Sequence, residues 1–412
     1  MTEPLNKLKV FCWTLFDFAN TAFSVMIVTF SYPLFYKIVI SNNSEYSDLY
    51  WGITVSISML ITAIMAPIFG AAADYSHNSK KMLLVLTAIS IVATALLSQL
   101  HPGMLLLGSI IFIFANIGFE SGIVFYDSFL PKITVKKNFG RVSGYGFAMG
   151  YLGALVILAI NFSLLKDGIS IENINNIHLS FLITALFFLI FAIPIFLVIT
   201  EEQSNKRFNF YLYFKIGLRR VKATILDLQR YKNIGNFLLS FFVYNDGIMT
   251  VISFASIIAV KSFDFSASEL IYFFLFVQTF AIAGSIIFGV ISDKIGSKKT
   301  IIISLVLWII LITLAYFSTT KTEFYFIGSI VGVLLGASQS SSRSLMAKLT
   351  PKEQEAEFFG FYDGLCGKAS AILGPLFFGL VSSIGNDQKF AIVTIGLFFA
   401  VGLILILRVK EN

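Results

Sequence analysis

Apolar residues along this chain run in stretches of roughly 20 to 30, separated by short polar breaks, for almost its whole length. About 20 apolar residues are needed for a helix to cross the hydrocarbon of a bilayer. The runs predict spans at 11–40, 50–73, 82–100, 103–129, 141–165 and 178–199. After a polar interval come 233–260, 268–291, 300–319, 323–347, 356–384 and 388–408. The pattern therefore predicts an all-α membrane protein of twelve transmembrane helices.

The interval 201–232 is the one long connection, and it has a period of its own. Phe214, Leu218, Val221, Ile225 and Leu228 recur at four-three spacing, with Lys215, Arg219 and Lys222 on another face. An amphipathic helix lying on the membrane surface is expected there. The chain then divides into a six-helix part at 1–200, a linker at 201–232 and a second six-helix part at 233–412.

Composition agrees with this reading. Hydrophobic residues make up 57%, charged residues 13%, and mean hydropathy is +0.84, against about 25% charged in a soluble domain. The net charge of +7 gives no nucleic-acid surface, because the basic residues are scattered among short loops. Their distribution sets orientation instead. Twenty-four Lys and Arg fall in the segments on the side of the termini, five on the other side, and Lys368 within a span. Both termini are expected in the cytoplasm, in a cell inner membrane, with no signal peptide before the first span. Cys12 and Cys366 are isolated in apolar surroundings, which excludes a disulfide framework or a zinc ribbon.

The chain also repeats itself. Gly70-Ala-Ala-Ala-Asp74 followed by Lys80 and Lys81 recurs as Gly289-Val-Ile-Ser-Asp293 followed by Lys298 and Lys299. Phe16-Asp17-Phe18-Ala19-Asn20 in span one is echoed by Tyr244-Asn245-Asp246-Gly247 in span seven. Tyr126-Asp127-Ser128 ends span four as Ser342-Arg343-Ser344 ends span ten. Parallel repeats of six spans place a substrate site between them, near the membrane midplane.

The G-x-x-x-D loop with its paired lysines resembles the signature loop of the major facilitator superfamily. Longer stretches sharpen the match: Trp13 to Phe23, Phe125-Tyr-Asp-Ser-Phe-Leu-Pro131, Tyr244-Asn-Asp-Gly-Ile-Met-Thr250, and Gln339 through Arg343 to Glu357-Phe-Phe-Gly-Phe-Tyr362 and Gly374-Pro375. These are similar to the vacuole effluxer branch, which includes the yeast autophagy-related vacuolar amino-acid exporter and bacterial relatives. Many relatives have Tyr or Trp in place of Phe16 and Phe18, and Asn in place of Asp127. The resemblance implies a major facilitator fold working by alternating access, with spans one, four, seven and ten lining the cavity.

A charge at the centre of a span costs about 2.5–3.5 kcal/mol on insertion scales, so such residues face the bundle interior or water. Asp17, Glu120, Asp127, Asp246, Arg343, Asp363 and Lys368 are the intramembrane charges. Asp246 is the deepest carboxylate, roughly 20 Å into its span at 1.5 Å per residue. It is expected to pair with Lys368 or Arg343, as a fixed structural contact or as one that breaks in each cycle. Asn20, Asn116, Asn245 and Gln339 add uncharged donors and acceptors, and Gln339 shares a helix face with Arg343. The candidates for binding substrate or a coupling proton are Asp17, Asn20, Glu120, Asn245, Asp246, Gln339, Arg343 and Lys368.

Asp74 and Asp293, with Gly70, Gly289 and the lysine pairs, are the expected gate. Each acid can pair with a loop lysine or cap a helix N-terminus from the opposite six-helix part. The glycines of span five, Gly140 to Gly153, and those of span eleven, Gly360 to Gly374, suit close helix packing, with Pro375 a secondary hinge. No nucleophile–base pair and no metal cluster stands out, so an enzyme is not expected, and neither is a cofactor. The expected partners are a small-molecule substrate, the lipid bilayer and a proton, with the chain acting as a monomer. Acidic and basic groups in one cavity suit a small polar metabolite such as an amino acid. A lipid or peptidoglycan fragment as substrate, or a sensor built on a transporter scaffold, are the alternatives.

Overall fold

A computed structural model describes residues 6–166, 168–201, 210–227, 229–370 and 388–411. Ten helices among them are long and apolar enough to cross a membrane: Lys7–Ile40, Ser47–Ser76, Ser79–Gln99, Leu105–Ile133, Lys136–Leu165, Ile174–Val198, Lys232–Ser256, Glu269–Ile295, Ser297–Phe317 and Lys321–Leu349. These are spans one to ten. Span eleven begins at Glu355 and continues through a π-helical stretch, Gly360–Cys366. Span twelve is the helix Gln388–Ile406. Gly374 and Pro375 lie outside the described residues.

Local chemistry fixes many of the boundaries. Asn6 accepts a hydrogen bond from Lys9 N at 3.1 Å and starts span one. Reciprocal capping boxes, Ser266 with Glu269 and Thr320 with Glu323, start spans eight and ten, satisfying donors that a helix start leaves unpaired. Span one widens to π-helical turns at Ser24–Phe30 and Tyr36–Ile40. Pro33 lies between them; its ring excludes the regular contact with the carbonyl four residues back and it has no N–H to donate.

Helices from before the linker meet helices from after it along two seams. Span five packs on span eight, and span two packs on span eleven. Both seams are closed by backbone contact. A Cβ on Gly144 would stand 2.2 Å from the Ser285 carbonyl oxygen, and one on Gly70 would stand 2.1 Å from that of Ala356. Only glycine allows helices to approach so closely. The contacts lie toward the face that carries Asn6 and Glu411, called here the basic face.

The linker contains the expected helix, Phe210–Leu226, but turned from the expected aspect. Its protein-facing residues are Tyr213 and Gly217, while Leu218 and Ile225 are exposed together with Lys215 and Lys222. Phe214 and Val221 are half-buried, and Leu228 lies outside the described residues.

Candidate functional site

Arg343 is the centre of the intramembrane charge cluster. It is 2% exposed and extends from span ten toward spans one, four and five. Nη1 donates to Asp127 Oδ1 at 2.8 Å and to Asp17 Oδ2 at 3.2 Å. Nε donates to Ser143 Oγ at 3.0 Å, and Nη2 donates to the Ser143 carbonyl at 2.7 Å. The guanidinium also lies over the Phe147 and Trp13 rings, 4.0 and 4.8 Å from their centroids. Arg offers five donors in a planar fork, and this pocket uses four hydrogen bonds from it to hold three helices from the other side of the linker.

The walls of the pocket are locally determined. Trp13 stacks on Tyr126 with centroids 4.5 Å apart, and its indole N–H donates to the Tyr126 carbonyl. Tyr126 in turn donates its hydroxyl to Asp17 Oδ2 at 2.9 Å. Gly146 leaves room for the guanidinium: a Cβ there would be 2.6 Å from Arg343 Nη2.

The expected pairing of Asp246 with Arg343 or Lys368 is not what forms. Arg343 pairs with Asp17 and Asp127, and Lys368 pairs with Glu120. Asp246 is fully buried in span seven. Its neighbour Asn245 donates to Ser370 Oγ at 2.7 Å, tying span seven to span eleven. For Arg343, depth along the helix accounts for the difference, whereas Lys368, about 20 Å into span eleven at 1.5 Å per residue, is as deep as Asp246 and meets Glu120 instead. Arg343 lies about 9 Å from the basic-face end of its span, Asp127 similarly near, and Asp246 about 21 Å from its own end at 1.5 Å per residue.

Gln339, one turn from Arg343, accepts from Tyr151 Oη at 2.5 Å. Asn20 accepts from Thr21 Oγ1 at 3.3 Å, while its Nδ2 is buried without a hydrogen-bond partner among the described residues. Above Tyr151 and Gln339 a cavity of about 220 Å³ opens, walled by Phe273, Val277, Trp308 and Leu311, with Gln278 as a further polar group.

Asp74 and Asp293, expected at a gate, take the capping alternative. Asp74 Oδ1 and Oδ2 accept from the backbone N–H groups of Ala356 and Glu357 at 3.1 and 2.8 Å. Asp293 accepts from Gly140 N and Arg141 N at 2.8 and 3.2 Å, and from Arg141 Nε at 2.7 Å. Each carboxylate thus meets the positive end of a helix across a seam. Lys80, Lys81, Lys298 and Lys299 supply no side chain to these contacts. The backbone N–H groups of Ser79 and Lys80 donate to Glu201 at 3.1 and 2.8 Å, and those of Ser297 and Lys298 donate to Glu411 at 2.8 and 2.7 Å. Lys132 and Lys348 complete these two matching sites at 3.7 and 2.8 Å.

Glu201, Glu411, Ser143 and Tyr151 escape the sequence reading. The first two could be found by extending the repeat, since each follows the last apolar run of its six-span set. Ser143 and Tyr151 carry no such signal.

The family model described as vacuole effluxer Atg22 like matches residues 49–412. The chain is 30% identical over 407 residues to the uncharacterized MFS-type transporter YxiO of Bacillus subtilis, covering 97% of this chain and 94% of that one. It is 24% identical over 384 residues to autophagy-related protein 22 of Kluyveromyces lactis, covering 85% and 77%. The human organic anion transporter MFSD10 superposes with a TM-score of 0.77 at 12% identity, covering 98% of this chain and 100% of that one. FucP in its outward conformation gives 0.74 at 14% identity, covering 98% of each. Repeated signature loop, matched family model and shared fold agree: the chain is a multi-pass membrane protein and a secondary transporter, not an enzyme, and it belongs to the Atg22-like vacuole effluxer family of the major facilitator superfamily.

Proposed function

We propose that this transporter moves a small polar metabolite of the amino-acid class across the inner membrane, by alternating access between residues 1–200 and 233–412. The basic face is its cytoplasmic side, in keeping with the 24-to-5 division of basic residues and the positive-inside rule. The arrangement described above is then closed to the cytoplasm.

The observation that carries this reading is Arg343 held by Asp17 and Asp127 across the seam. In low dielectric neither side of such a contact can part without a substitute partner, because an uncompensated buried charge costs several kcal/mol. A substrate carboxylate can replace the acids at Arg343, and a proton can neutralise an acid. Asp363, beside Asp127, supplies a second carboxyl where that proton can rest. The partnerless Nδ2 of Asn20 supports a polar solute. The apolar cavity above Gln339 favours, within that class, solutes with an apolar side group.

The test is a thermal-shift screen of purified protein against amino acids and related metabolites, followed by uptake into proteoliposomes. A ligand at 100 times its dissociation constant adds about 2.7 kcal/mol. Ligand-dependent stabilisation lost in Arg343→Gln supports the reading. A ligand that binds but is never transported would support a sensor instead.

A further inference from the structure

The linker helix Phe210–Leu226 presents two faces that have different contacts. Toward the protein, Gly217 backs directly onto span two: a Cβ there would stand 2.0 Å from the Ile68 carbonyl oxygen. One turn earlier, Tyr213 Oη accepts from Asn78 Nδ2 at 2.8 Å. One turn later, Arg220 Nε lies 3.6 Å from Glu357 Oε2, and two turns later Thr224 donates to Oε1 of the same side chain. Glu357 belongs to the first turn of span eleven, and its backbone N–H is one of the two that cap Asp74. The helix therefore holds span two with one end and span eleven with the other.

Its height along span two follows from the exposure of that span. Ile57, Leu60 and Ile64 form a lipid-facing stripe at helical spacing, all exposed. Ile68 is next on the stripe, yet it is buried, because the linker helix covers it. Ile68 lies about 9 Å inside Asp74 at 1.5 Å per residue. The helix thus lies beside the apolar flank of the bundle, at the boundary of hydrocarbon and headgroups, and not in the aqueous phase beyond it.

The outward face is mixed in a way that fits this boundary. Tyr211, Leu218 and Ile225 recur every seven residues and are 72%, 49% and 51% exposed. Lys215 and Lys222 fall on the same stripe, with Arg219 beside them, all three exposed. Among the described residues none of the three has a carboxylate partner within salt-bridge distance. Apolar side chains that reach acyl chains, interleaved with unpaired cations, are complementary to a layer of anionic headgroups. A zwitterionic layer offers those cations no net counter-charge.

We infer that the outer face of the linker helix is a binding surface for anionic phospholipid, and that lipid bound there favours the closed basic face through Gly217 and Glu357. The lipid contact depends only on the membrane-spanning fold; the effect on closure also depends on the gate reading, and the identity of the solute enters neither.

Hydrogen exchange on the full chain in nanodiscs reads both parts at once. Amides 211–226 report lipid on the linker, and the amides of Ala356 and Glu357 report the caps on Asp74. Replacing one-third of the phosphatidylcholine by phosphatidylglycerol should slow exchange in both segments. Lys215→Gln/Arg219→Gln/Lys222→Gln should lose that slowing, since each charge removed lowers affinity for an anionic surface about fivefold, while exchange in pure phosphatidylcholine stays as in wild type. Lys215→Arg/Lys222→Arg should keep it. The lipid surface is refuted if phosphatidylglycerol leaves residues 211–226 unchanged, or if the triple variant responds as wild type does. Slowing at 211–226 with none at 356–357 would overturn the effect on closure while leaving the lipid surface standing.

Discussion

Asp74, at the end of span two, accepts the backbone N–H of Glu357 at 2.8 Å, and the Glu357 side chain meets Arg220 and Thr224 of the linker helix. One residue thus joins Asp74, the start of span eleven and the linker. Asp293 makes the related contact at span five, from the other side of the linker. The closed seam therefore has two charged caps, each worth about 1.5–3 kcal/mol as hydrogen bonds to a charged group.

Asp74→Asn and Asp293→Asn should each weaken closure and lower transport several-fold, with the double variant more severely affected. A cysteine at Ser285, now against Gly144, should become reactive to a thiol reagent in the double variant. Full transport in both single variants and in the double variant would remove these acids from the mechanism.

Gly144→Ala places a methyl 2.2 Å from the Ser285 carbonyl oxygen. Overpacking of this kind costs about 1–3 kcal/mol, and opening the seam relieves it. The variant should stay folded and shift toward the open form, as seen in faster exchange of the amides around Gly140. Unchanged exchange there would mean that the seam yields locally.

Glu411 offers a pH test outside the spans. Burial disfavours its charge, but Lys348 and the backbone N–H groups of Lys298 and Ser297 more than offset this and hold its carboxyl below the usual glutamate range. A group with a depressed folded-state pKa contributes stability above its unfolded value, near 4.3, and loses it as pH falls through the folded value. Glu411→Gln should lower stability by about 1 kcal/mol at pH 7, the ordinary worth of a helix cap. The gap from wild type should hold constant down to pH 5 and narrow below about pH 4. A gap that closes between pH 7 and 5 would contradict the assignment.

Orientation is tested by labelling. Single cysteines at Asn43 or Ser170 should react with an impermeant thiol reagent in intact cells, and one at Lys352 only after permeabilisation. The reverse pattern would invert the proposed topology.

The spans were readable because a bilayer demands about 20 apolar residues in sequence, a one-dimensional constraint. The two acids at the seams were readable as candidates, since the repeat brings the same motif to Asp74 and to Asp293. Partner choice was harder. Asp17, Asp127 and Arg343 declare themselves as intramembrane charges, but Arg343 pairs with the first two and not with Asp246. Pairing depends on which helix faces meet, a property of packing that the composition of one helix does not contain. Depth along each span was available, and it favours Asp127 over Asp246. Ser143 holds Arg343 through a hydroxyl and a carbonyl, and a lone serine in a span gives no warning of that role.

The central claim is that the Arg343 contact with Asp17 and Asp127 holds the basic face shut and parts in each cycle. Spin labels at His77 and Lys352, both exposed and on the two sides of that face, measure the opening directly by their distance distribution. In Asp17→Asn/Asp127→Asn the guanidinium loses both of its salt-bridge partners, a cost of about 3–5 kcal/mol while it stays buried. Opening lets water reach it. The account predicts that the double variant moves the distribution from the short distance of the closed form to a longer one, with the protein still folded. A distribution that stays at the short distance in a folded double variant would contradict it.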